Sequence, residues 1–112
     1  MMYKDLAPER WFEFSTCVQM ANIGCDIDRT VRWRDKKNYE YSIKAFERAL
    51  ELLDLTIADP KNSGGRLTEL VRLRELLIDY FLFDNQYQVL DDTFLYNYFM
   101  YFSYIAASER GL

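Results

Sequence analysis

Apolar residues between positions 39 and 57 recur in a pattern that only a helix can use. Tyr39, Ile43, Phe46, Leu50, Leu53 and Ile57 follow each other at spacings of 4-3-4-3-4, an unbroken heptad seam. Asn38 stands where an N-cap belongs, and Glu40 precedes Lys44 by four residues in the favourable order for a helical ion pair. The run Asp59-Pro60-Lys61-Asn62-Ser63-Gly64-Gly65 is the strongest turn signal in the chain and ends this helix. Periodicity resumes at once beyond it, so the turn joins two parts of one domain.

Three further helices follow from the same reasoning. The first spans 9–36, entered through Pro8. Trp11, Phe14, Val18, Ala21 and Cys25 form one apolar stripe; Met20, Ile23, Ile27 and Val31 form a second beside it. Ala21, Gly24 and Cys25 are small enough to admit another backbone, and Gly24 costs about 1 kcal/mol inside a helix, so two shorter helices are the alternative to a single one. The third helix spans 66–83, with Leu67, Leu70, Val71, Leu77, Ile78 and Phe81 on one side. After a polar stretch, Asp91 or Asp92 caps a last helix that runs to about Ser108. Period-2 alternation never lasts, so strands are not expected. The expectation is one all-α domain over 1–112, an up-and-down four-helix bundle.

At 112 residues, half of them hydrophobic and 17% aromatic, the chain can build a core without a disulfide or metal staple. Cys17 and Cys25 have no partner cysteine or histidine at metal-ligand spacing and read as small core thiols in a reducing compartment. No apolar h-region precedes Phe14, and the longest apolar run, 94–107, is interrupted by Asn97 and Ser103 and is too short for a membrane span. A cytoplasmic protein, without membrane contact, is the expectation.

The chain has no histidine. That excludes Ser-His-Asp and Cys-His nucleophile systems and histidine-ligated metals, and Gly64-Gly65 belongs to no phosphate-binding loop. Glu47, Glu51 and Asp54 share a helix face, but Lys44 and Arg48 interleave with them, which is the pattern of a solvated charged surface. No catalytic residue, metal or cofactor is expected. Net charge is −4, yet Arg29, Arg32, Arg34, Lys36 and Lys37 cluster around Trp33, a set suited to RNA contact through cations and a stacking indole. The alternative is a helix end whose cations complement its dipole, with Trp33 in the core.

The last helix leaves almost no polar face. Leu95, Phe99, Phe102 and Ala106 would face the core, which turns Tyr101 and Tyr104 outward together with Asn97 and Ser108. A helix apolar all round must be covered all round, and tyrosine suits an interface. A homodimer through those four residues is therefore the expected association, with another protein as the alternative partner.

Asn38 to Leu50 is similar to the second helix of a tetratricopeptide repeat, with Ser42, Phe46, Ala49 and Leu50 at its small and aromatic positions, but no further copy follows. Leu73-Arg74-Glu75-Leu76-Leu77-Ile78-Asp79-Tyr80-Phe81, with Asp84 and Val89-Leu90 after it, resembles the segment that carries the RNase motif in HEPN-domain proteins. The resemblance implies a small dimerising helical bundle, often the toxin partner of a minimal nucleotidyltransferase, whose paired Arg and His cut RNA in the dimer cleft. Arg74 stands at the motif arginine, Glu75 in place of the usual Asn, and Asp79 near the histidine position, followed by Tyr80. Without the histidine, the resemblance implies a lost or altered nuclease. Two roles remain open for these residues: a cleft shared between copies, or an Asp79 ion pair with Arg72 or Arg74 that serves only structure. The expectation is a non-catalytic dimerising bundle acting through protein or RNA contacts, with a degenerate toxin–antitoxin-like RNase and a structural adaptor as alternatives.

Overall fold

The computed structural model describes residues 7–109; residues 1–6, part of the stretch searched above for a secretory signal, lie outside them. The fold is all-helical. Five helices follow in order: α1 Pro8–Phe12, α2 Thr16–Asp35, α3 Tyr39–Ala58, α4 Gly65–Leu82 and α5 Asp92–Glu109. Among the described residues there is no strand. α2 packs chiefly on α3 and α5, and α4 packs on α3. Phe46, Met20, Ile23, Leu53, Leu70, Leu77 and Leu95 fill the single core.

The first expected helix is two. The chain breaks at 13–15, where the Ser15 hydroxyl accepts from the Val18 amide and caps α2. Gly24 does not interrupt α2. A Cβ built there would lie 2.6 Å from the Phe99 Cβ, so glycine is the notch that lets α5 approach. The stripe beginning at Trp11 is not the core stripe of α2 either: Phe14 and Cys25 are exposed and Cys17 is only partly covered. Met20, Ile23 and Ile27, with Gln19, Asp26 and Thr30, are the buried set.

The seam of α3 is similarly rotated. Tyr39 and Ile43 are exposed, while Ser42, Ala45, Phe46, Ala49, Leu52, Leu53 and Thr56 are buried. The small residues of that set let α2 and α3 come close, and the Ser42 hydroxyl donates to the Thr30 carbonyl at 2.8 Å between them. Leu67 and Val71 of α4 are exposed as well; Leu70, Leu73 and Leu77 carry its core face. The predicted turn is where it should be, and Asp91 is the cap of α5, accepting from the Phe94 amide at 2.7 Å.

A buried polar knot ties the base of the molecule. The Gln19 amide donates to the Trp11 carbonyl at 3.0 Å and to Asp59 at 2.8 Å. Asn62 donates to Gln19 at 3.1 Å and to the Thr56 carbonyl at 2.9 Å, and accepts from Thr16. Trp11 donates to the Thr56 hydroxyl at 3.0 Å, and Lys61 pairs with Asp59. Each buried amide thus finds partners, as burial requires. The knot fastens α1 and the start of α2 to the α3–α4 turn.

Candidate interaction surface

α5 is antiparallel to α2, because contacts join them at both ends. Ser15 donates to Glu109 at 2.6 Å at one end, and Arg34 grips Asp92 at the other. Leu95, Phe99, Phe102 and Ala106 are buried, as their spacing predicts. The remaining faces differ. Toward α4, Tyr98 is sheltered and donates to Glu69 at 2.8 Å; burial first, then that carboxylate, pushes its hydroxyl pKa well above the tyrosine range. Outward, Tyr101 is 62% exposed and Tyr104 71%, and Asn97 and Ser108 share their side. The four expected interface residues therefore lie on one open face.

Beside this face runs a groove of about 570 Å³ between α2 and α5. Gly24, Ile27, Leu95 and Phe99 line its inner part; Ala21 and Cys25 border it on α2, Tyr96, Met100 and Ser103 on α5. Asp28, Arg32, Asp35 and Asp92 give it one charged end. Tyr96 was not singled out from sequence, and Cys25 was read there as a core thiol, whereas it is exposed at the groove's edge. A signal existed in the small trio Ala21, Gly24 and Cys25, but it marked close packing, and only the three-dimensional pairing of α2 with α5 shows that the packing leaves an open trough.

The basic cluster sits at the opposite end of α2 from the polar knot, and its arginines are spent on acids. Arg29 meets Asp26 at 2.9 Å, Arg32 meets Asp28 at 2.8 Å, and Arg34 meets both Asp35 and Asp92. Arg34 is held as a cation far above its ordinary pKa, first by its bond to Asp92. Trp33 is half-buried rather than in the core, with Tyr41 edge-on at 5.0 Å and the Lys36 ammonium 5.3 Å over its ring. Lys37 is exposed and has a positive φ of 62° just past the end of α2.

The three residues of the motif-like segment are held by three different partners. Arg74 pairs with Asp54 of α3 at 2.7 Å. Asp79 is buried and accepts from the amides of Gln86 and Tyr87 at 2.9 and 3.1 Å, so it pins the α4–α5 loop and pairs with neither Arg72 nor Arg74 as the sequence suggested. Tyr80 donates to Asp92 at 2.7 Å, which joins it to the Arg34 contact. Burial first, then Asp92, raises the Tyr80 pKa; burial works to raise that of Asp92 too, but the bonds from Arg34 and Tyr80 outweigh it and hold that carboxyl low. Among the described residues no three acids or cysteines gather as a metal site, and no helix is long and apolar enough to cross a membrane.

No family model matches the chain, and no curated protein or solved structure matches it.

Proposed function

We propose that this chain is a non-catalytic association module: an up-and-down four-helix bundle, α2 to α5 with α1 as a brace, that dimerises through the outer face of α5. The observation that carries this is the uncharged stretch from Thr93 to Ser108, with Tyr96, Tyr101 and Tyr104 in solvent. Aromatic side chains in contact with water along an entire helix face are the composition of an interface. Two unbonded thiols suit a reducing compartment such as the cytoplasm. The dispersal of Arg74, Asp79 and Tyr80 among separate structural partners favours an adaptor over a nuclease for the HEPN-like segment.

Sedimentation over a range of concentrations tests the reading. The chain should be a dimer, and the double variant Tyr101→Glu, Tyr104→Glu should be a monomer of unchanged helix content, because neither ring is in the core. A wild-type chain that stays monomeric at high concentration would overturn it.

A further inference from the structure

The α2–α5 groove is long and narrow. Ala21 and Ser103 border one end, Asp35 and Asp92 the other, so its lining follows α2 for roughly 20 Å at ~1.5 Å per residue. A volume of about 570 Å³ along that length leaves a mean cross-section of only ~30 Å². A helix, ~10–12 Å across with its side chains, needs about three times as much. One extended hydrocarbon chain fits. The volume also falls within the range of small-molecule sites, about 300–1,000 Å³.

Chemistry divides the groove along its length. From Ser103 to the middle, the lining of Ala21, Gly24, Cys25, Ile27, Phe99 and Met100 holds no charge. From there on, Asp28, Asp35 and Asp92 border it, and two guanidiniums meet them: Arg32 on Asp28, and Arg34 on both Asp35 and Asp92. Three carboxylates against two arginines leave one negative charge. The side chains of Asp28 and Asp35 are 45% and 63% exposed, open to an occupant. Tyr96, one turn from Asp92 and largely exposed, adds an aromatic face at the same end, which attracts a cation.

We infer that this groove binds a single-chain amphiphile with a cationic head. The hydrocarbon chain lies along the Gly24–Phe99 half, and the head rests among Asp28, Asp35, Asp92 and the Tyr96 ring. This goes beyond the association reading; of the exposed tyrosines invoked there, only Tyr96 borders the groove. Width excludes a helix as occupant, and charge selects the head. An anionic head would add to a surplus of carboxylates, whereas a cation neutralises it. Charge also sets the direction, because the tail has an uncharged trough only toward Ser103.

The test titrates decyltrimethylammonium, kept below its micelle concentration, into the full chain by calorimetry, with maleimide labelling of the exposed Cys25 followed by peptide mass. The expected result is one saturable site per chain, about tenfold or more tighter than for decyl sulfate. Octyltrimethylammonium should bind about tenfold more weakly, since each buried methylene contributes roughly fourfold. Cys25 labelling should slow about tenfold once about nine sites in ten are filled. The double variant Asp28→Asn, Asp35→Asn should bind decyltrimethylammonium about tenfold more weakly with unchanged helix content. Equal binding of decyl sulfate overturns the inference, as does saturable binding that leaves Cys25 labelling unchanged, or no saturable binding at all. Protection of Cys25 that grows with chain concentration alone places a second copy in the groove and overturns it too.

Discussion

At single positions, the structure is decided by a few side chains that have no substitute. Gly24 is the clearest. An alanine there would gain roughly 1 kcal/mol of helix propensity, but its methyl would collide with Phe99, and overpacking costs typically ~1–3 kcal/mol. Gly24→Ala should therefore lower the denaturant midpoint, and because the nearest clash is with the Phe99 Cβ, which alanine keeps, only Phe99→Gly, not Phe99→Ala, should reverse the sign of the Gly24→Ala effect in a double-mutant cycle. Asp59 and Asp92 set the acid limit. At both, burial pushes the pKa up, but Lys61 and Gln19 at Asp59, and Arg34 and Tyr80 at Asp92, outweigh it and hold the folded-state value below 3.8. A carboxylate lowered on folding adds stability above its unfolded value and loses it as pH falls through the folded one. With no histidine to titrate, the urea midpoint should be nearly flat from about pH 8 to 5 and fall below about pH 4. Asp59→Asn should be less stable at neutral pH and show a shallower fall, measured by the same melts.

Among the helices, α5 depends most on its two ends. The Arg34–Asp92–Tyr80 contact anchors its first turn to α2 and α4. In Arg34→Ala the amides of 93–96 should exchange faster, while those near Phe102 should keep their protection, as hydrogen exchange followed by NMR would show. How each helix was legible differs for physical reasons. α5 could be read down to its buried residues, because Leu95, Phe99, Phe102 and Ala106 are its one fully core-facing set. α3 was legible as a helix but not in its rotation: the large residues Tyr39 and Ile43 are exposed, whereas Ala45 and Ala49 are buried for being small, a property that hydrophobic periodicity ranks low. α1 and α2 merged in the sequence because Ser15, a cap, sits in register with helical stripes on both sides. The polar knot was invisible, since Gln19, Asp59 and Asn62 are forty or more residues apart or lie in a turn that advertised only its own bend. The groove required knowing that α2 and α5 are neighbours.

For the whole molecule, a neutral contact face makes a distinct prediction. An interface held by ion pairs weakens as salt shortens the screening length to a few ångströms. Pairing through Tyr101 and Tyr104 should instead be nearly constant, or slightly tighter, between about 0.1 and 1 M salt; sedimentation equilibrium at both ends of that range decides it. A sharp loss at high salt would redirect attention to the arginines at the end of α2.

Because Ser15 touches Glu109, the two ends of the α2-to-α5 segment stand side by side. A pull applied between them would not slide the two helices along each other against all their contacts at once. It would peel them open turn by turn, like a zipper, starting at that contact and reaching the Gly24–Phe99 notch only later. The protein should accordingly yield at low force however well it resists heat, a mechanical softness set by the path of the chain and not by its core.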